Sequence, residues 1–231
     1  MSVDTLQDSI NWPCELPNET KKAIVLNAIK IQSLGNSAGH SGNLKGLLYI
    51  KKGIAGIGFG SEQTNTMNSS IFGAGDWLGG SIMNNNIRVH VNIEQLEPLE
   101  IIFFAKEKLD TLAARDPHIF QFLYHASLKT QNRWLLAQAV SLYKREARVV
   151  FSLLEISKHS NQIKGSLTAI HTSQKQLSTI TGISRPRLNE VLKMLESTGE
   201  ISVNRGSIHI LDQARLAERL TDLQTSVVDQ S

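Results

Sequence analysis

The sequence predicts an α+β protein: an N-terminal roll or jelly-roll of short β-strands, then one long helix, then a small helical unit closed by a β-hairpin. Three observations carry this prediction. Twelve of the 16 glycines fall between residues 35 and 80, and none occurs from 81 to 164. No proline interrupts residues 119–185, where helix formers dominate. After Gly199 the apolar residues switch from helical spacing to every second position.

Glycine supplies the positive φ angles of tight turns, so residues 20–105 read as short strands joined by turns. Leu47–Ile50, Ile54–Phe59, Ile87–Ile93 and Leu99–Phe104 are the clearest strands, and the cluster Gly73, Gly75, Asp76, Gly79, Gly80 punctuates them. From Asp116 to Ser157 the pattern predicts a continuous helix with a bend near 141–144. Phe120, Leu123, Ser127, Thr130, Trp134, Ala137 and Ser141 alternate three and four apart, as in a coiled coil. Tyr124, Leu128, Leu135 and Leu142 form an adjacent stripe. One face would pack on the β-roll and the other on a second copy of the helix. These changes divide the chain into residues 1–115, 116–143 and 144–231.

With 231 residues there is room for one large domain or two small ones, and 41% hydrophobic with 19% charged residues is ordinary for a globular protein. The longest strongly apolar stretch, 99–105, is far too short to cross a bilayer, and the N-terminus has no basic and apolar signal pattern. A cytoplasmic protein without a membrane partner is expected. Cys14 is the only cysteine and the seven histidines are scattered, so neither a metal site nor a cofactor is expected. No phosphate loop ending in Lys-Ser/Thr, no His-Glu-x-x-His and no Gly-x-Ser-x-Gly elbow is present, which argues against an enzyme. The net charge of +3 is unevenly spread: residues 144–215 hold 11 Lys/Arg against 6 Asp/Glu, the remainder 13 against 15. The basic excess lies in the C-terminal third, as a polyanion partner would require.

Residues 173–212 are the most informative. Ser173 and Gln176 form a capping box that opens a short helix with Leu177 and Ile180 on its apolar side. Thr181-Gly182-Ile183 is a tight turn, Ser184 is placed to cap a second helix, and Pro186 sits near its first position. Leu188, Val191, Leu192 and Leu195 make the buried face of that helix, leaving Arg185, Arg187, Asn189, Glu190 and Lys193 towards solvent. Ile201, Val203, Ile208 and Ile210 then alternate about a turn at Asn204-Arg205-Gly206-Ser207. Two helices joined by a three-residue turn, the second rich in Arg and Asn, suit the major groove. There Arg pairs with guanine and Asn with adenine, while Arg205 on the wing meets phosphate. Ser173, Gln174 and the amides at the helix starts are further phosphate-contact candidates. Double-stranded DNA is therefore the expected partner. The competing reading is a regulatory module that holds a small ligand and docks a protein through the winged helix.

The segment resembles the DNA-binding domain of the cyclic-AMP receptor protein (CRP/FNR) family, through Ile183-Ser184-Arg185-Pro186 and Val191-Leu192-Lys193-Met194-Leu195-Glu196. Upstream, 72–80 (FGAGDWLGG) looks like that family's glycine-rich turn, Gly53 like the glycine ending an early strand, and Asp116-Pro117 like the start of its dimerisation helix. The resemblance implies a homodimeric transcription regulator in which Arg185 reads a base, with Pro186, Asn189 and Glu190 at the other specificity positions. It also implies RNA polymerase as a partner. In the cyclic-AMP receptor protein those three positions read Glu, Gly and Arg, so a different operator is implied. For the effector site the resemblance points to Gly79, Gly80, Ser81 and Arg88. Gly80 stands where cyclic-nucleotide binders have the glutamate that holds the ribose, and the connection to Arg88 is shorter. Losing such a charged hydrogen bond costs roughly 1.5–3 kcal/mol, so cyclic AMP is disfavoured. The effector is then another small molecule, or the domain is a degenerate sensor; Arg88 reads more plainly as a strand arginine paired with an acid.

Overall fold

The computed structural model describes residues 3–31, 45–59, 68–79, 91–160 and 168–221. Within them the glycine-dense part of the chain forms two antiparallel sheets. Strands β1 (Ala28–Ile31), β2 (Gly46–Lys52), β5 (Trp77–Leu78) and β7 (Glu100–Ala105) make one, in the order β1-β7-β2-β5. Strands β3 (Ile54–Phe59), β4 (Asn68–Gly73) and β6 (Val91–Gln95) make the other, in the order β4-β3-β6. Three of the four expected strands therefore coincide with observed ones to within a residue or two. The fourth, 87–93, begins outside the described residues and continues as β6.

Two short helices, α1 (Val3–Ser9) and α2 (Asn18–Val25), precede the strands and have no counterpart in the sequence expectations. They close the first sheet: Leu6, Ile10, Leu16, Ile24 and Val25 are buried against Leu47, Ile102 and Phe104. Trp77 centres this core, with its ring 4.8 Å from Tyr49, 5.0 Å from Phe122 and 5.6 Å from Phe104. Its indole nitrogen donates to Asn11 O at 2.8 Å, so the polar end of a fully buried ring is satisfied.

After α3 (Lys106–Ala113), the long helix α4 (His118–Ser141) crosses the β-roll. Ile119, Phe122, Ala126, Thr130, Ala137 and Val140 are its buried residues, and Thr130 Oγ1 donates to Trp77 O at 2.9 Å. The expected stripes need correction here. Phe120 does not stay with Leu123, Thr130 and Ala137; it is 62% exposed and aligns with Tyr124, Leu128, Leu135 and Leu142. The 3.6-residue period explains the change. Burial follows Ile119, Phe122 and Ala126, and the side opposite them collects the remaining large apolar residues.

The expected continuous helix is also two helices. Leu142 and Tyr143 donate to the carbonyls three residues back, Lys144 is extended (φ −57°, ψ 152°), and α5 (Arg145–His159) starts anew. The tightened last turn and the extended residue re-aim the chain. Then follow β8 (Thr168–Ile170), α6 (Gln174–Thr181), α7 (Arg185–Ser197), β9 (Ile201–Asn204), β10 (Ser207–Ile210) and α8 (Gln213–Glu218). The expected hairpin is β9–β10, and β8 adds a third strand in the order β8-β10-β9. The core of this part gathers Val149, Val150, Leu153, Leu177, Leu188, Val191, Leu192, Ile208 and Leu216, and it continues into Ile54, Ile71 and Leu96 of the roll.

Candidate nucleic-acid interface

The first helix of the pair, α6, is fixed at both ends. Ser173 Oγ accepts from Gln176 N at 3.2 Å, and Gln176 Oε1 accepts from Ser173 N at 2.9 Å, so the capping box expected from the sequence is formed. Gln176 Nε2 donates onward to Gln95 O of β6 at 2.9 Å, which ties the start of α6 to the roll. At the other end Gly182 has φ +64°, the left-handed conformation that turns the chain within three residues. Arg148 of α5 donates to Thr181 O at that end. Burial lowers the pKa of this guanidinium from its ordinary value.

The second helix, α7, starts as the sequence suggests but without a side-chain cap. Ser184 occupies the N-cap position, yet its side chain accepts no hydrogen bond from the helix, which corrects the expected cap. Pro186, at the second helical position, removes one of the amides a serine would cap. Leu188, Val191, Leu192 and Leu195 are buried, as their spacing predicts. Ser184, Arg185, Pro186, Arg187, Glu190 and Lys193 are exposed. Asn189, expected towards solvent, is instead half-buried, and its Oδ1 is enclosed without a described hydrogen-bond partner. Among the described residues no ion pair engages Arg185, Arg187, Lys193 or Arg205. The exposed side of α7 therefore carries cations that no described acid pairs with.

The wing is held in register with α7. Glu196 Oε1 accepts from Val203 N at 2.8 Å, and Ile208, opposite Val203, is buried. Arg205 and Gly206 form the tip, with Arg205 exposed. Behind the wing, the 1%-exposed Glu200 accepts from Arg219 Nε at 2.7 Å and Arg219 Nη2 at 2.6 Å. Those bonds hold its carboxyl below the usual range despite burial, with help from Thr198. Arg219 also reaches Glu146 of α5, and its own pKa is raised. This network, with Glu200 buried at its centre, joins α5, the start of the wing and the end of α8.

The remaining sequence-predicted positions behave differently. Ser173 and Gln174 are half-buried, and the Ser173 hydroxyl is occupied by the capping box, donating also to Gln176 Oε1. Gly79 has φ +102° and lies against Gly46 O, consistent with a sharp turn after β5. Gly80, Ser81 and Arg88 lie outside the described residues. One residue escaped the sequence reading altogether. Arg145, the first residue of α5, places a guanidinium nitrogen 3.2 Å from Glu190 Oε2 on α7. Only the tertiary fold brings the two together, so no local signal pointed to it.

Residues 147–219 match the family model of the Crp-like helix-turn-helix domain. No curated protein matches the sequence. Among solved structures, the fold is similar to that of CLP from Xanthomonas campestris, described as a c-di-GMP-responsive global regulator. That match has 18% identity and a TM-score of 0.65, and covers 84% of this chain and 99% of that one. It is similar too to a CRP/FNR-family transcriptional regulator from Eubacterium rectale (19% identity, TM-score 0.63, 88% and 94% covered). FixK2 from Bradyrhizobium japonicum is another neighbour (13% identity, TM-score 0.64, 83% and 95% covered). Residues 147–219 are thus similar to the Crp-like helix-turn-helix domain, and the fold as a whole is the one seen in CRP/FNR transcription regulators.

Proposed function

We propose that this protein is a homodimeric, sequence-specific DNA-binding transcription regulator that presents two copies of α7 to a two-fold symmetric site. The observation that carries the reading is the outer side of α7 and the wing tip. Arg185, Arg187, Lys193 and Arg205 are exposed there and unengaged by any described acid. Arg185, at the start of the helix, meets a guanine edge in the major groove, where the first turns of a recognition helix reach the bases. Arg205 and the exposed amides of the first turn of α7 take phosphate. Pro186, Asn189 and Glu190 border the same helix end and set the remaining base preference.

The second copy is supported by the stripe Phe120, Tyr124, Leu128, Leu135 and Leu142, which runs along α4 with exposures of 38–86%. Contiguous large apolar residues on a helix opposite its own core are an interface pattern. In this reading residues 1–115 are an effector-type roll, 116–143 the dimerisation helix and 144–231 the DNA-binding unit. Half-site centres fall roughly 34 Å apart, one turn of DNA. The effector is degenerate or other than cyclic AMP, because Gly80 has no carboxylate to hold a ribose. RNA polymerase and the cytoplasm follow from the family likeness alone.

A selection of bound sequences from random DNA tests the reading. Enrichment of a pseudo-palindrome, with affinity falling steeply as salt rises, is the expected result. Salt-indifferent behaviour and no enriched sequence would instead favour a winged helix that docks a protein.

A further inference from the structure

The charge pattern on α7 contains one anomaly. Helical spacing places Pro186, Glu190 and Lys193 on one side of the helix, and Glu190 is the only acid among the exposed residues of its first nine positions. A carboxylate that faces DNA meets a dense row of phosphates and is repelled unless it accepts a hydrogen bond from a base amino group or is neutralised nearby. Arg145 neutralises it in this structure. The contact runs from Arg145 Nη2 to Glu190 Oε2 at 3.2 Å, with side-chain exposures of 50% and 62%. Because one carboxylate oxygen makes the contact, the other is left for a base. The neighbouring acid of the same helix turn, Glu146, is turned away towards Arg219. Arg145 is therefore the residue of the first turn of α5 that an ion pair joins to α7.

Resting on the DNA-binding reading above, we infer that Arg145 is a positioning residue for base recognition. It holds the Glu190 carboxylate at the groove face of α7, so that the free oxygen accepts from the amino group of a cytosine. An exposed ion pair contributes little to folding stability, so its consequence here lies in placement. A flexible glutamate samples many rotamers, whereas one anchored across the α5–α7 gap samples few. The guanidinium is suited to this task because its planar fork fixes direction, which an ammonium does not. Two parts of the chain far apart in sequence thus form one reading unit, and specificity at that base pair depends on how α5 sits against α7.

The test is a selection from random DNA with the full chain, run for the parent, Arg145→Ala, Arg145→Lys, Glu190→Ala and the double variant, each first checked for an unchanged melting temperature. If the parent enriches no motif, the DNA-binding reading itself fails, and that outcome is separate from those below. Given a parent motif, Arg145→Ala and Glu190→Ala should lose discrimination at the same base pair by about tenfold each. The double variant should lose no more than either single one, the signature of two residues acting together. Arg145→Lys should keep the salt dependence of the parent while recovering only part of the discrimination. The inference is overturned if Arg145→Ala weakens all sequences equally with the motif intact, which is the behaviour of a plain phosphate contact. It is equally overturned if the two single variants relax different positions, or if Arg145→Ala changes nothing.

Discussion

Arg185 is the first residue of α7, exposed, and free of any described ion pair. On the proposed reading, replacing it with alanine removes one bidentate contact with a base. Specific affinity is then expected to fall by about 1–3 kcal/mol, and one base position should relax, as measured by competition among operator variants. Arg205 at the wing tip is also exposed, and on the same reading it meets phosphate. Arg205→Ala should weaken all sequences alike and reduce the slope of log affinity against log salt by about one. Neither change should move the melting temperature appreciably, because surface substitutions of this kind alter stability by only about 0.5 kcal/mol. The exposed placement of both was legible in the sequence, because the helical period fixes which side of α7 is buried and the alternation after Gly199 fixes the wing turn. Asn189 was only half legible. Its place on the helix follows from the period, but the enclosure of its Oδ1 depends on neighbours that the period does not name. The Arg145 contact was not legible at all, since the loop and helices between residues 145 and 190 decide whether those residues meet.

Elements were legible wherever a local chemical signal marked their ends. The capping box at Ser173, the positive φ of Gly182 and the early proline of α7 each specify a boundary by a steric or hydrogen-bonding reason, and each is found where expected. Gly182→Ala places a Cβ in a left-handed conformation and should cost about 1–2 kcal/mol of stability, read as a lowered melting temperature. Helices α1 and α2, strand β8 and helix α8 carry too few residues for a period to stand out, and they form because buried partners such as Trp77 and Glu200 await them. The joint at 142–144 was legible as a bend but not as a break. On α4 the alternation of spacings left two neighbouring stripes, and packing against Trp77 decided between them. The stripe left outside makes its own prediction. Leu135→Glu, at a site 59% exposed, should leave the monomer folded and reduce the mass found by light scattering from two chains to one. Affinity for a full two-fold site should fall with it, while non-specific binding persists.

At the scale of the whole molecule, the roll and the helix-turn-helix are packed together rather than merely tethered. Gly56 and Gly73 allow this: a Cβ at Gly56 would lie 2.5 Å from Ile180 of α6, and one at Gly73 would lie 2.3 Å from the His159 ring of α5. Spacing rules do not reveal such a contact, because it joins elements through one glycine inside an expected strand and another that looked like a turn former. Beside it sits a cluster of charges. Arg133 of α4 donates to Asp76 Oδ1 at 2.7 Å and to Ile71 O at 3.0 Å, and lies 3.6 Å from Glu155 of α5. Glu155 is also paired with Lys158. His159 Nε2 lies 3.3 Å from Asp76 Oδ2 within this group, its side chain 10% exposed. Burial lowers the His159 pKa below 6.5; Asp76 and Glu155 oppose that shift, while Arg133 and Lys158 reinforce it. The neutral ring is therefore the form that fits the folded protein, and the unfolded chain binds the extra proton more readily. It follows that the contribution of His159 to stability is complete above pH 6.5 and is lost as the pH falls through the depressed folded value. His159→Gln keeps a planar polar side chain but cannot take up the proton. Melting curves recorded between pH 7.5 and 5.5 should show a smaller loss of stability for that variant than for the parent. A loss of the same size in both would place the acid sensitivity elsewhere in the molecule.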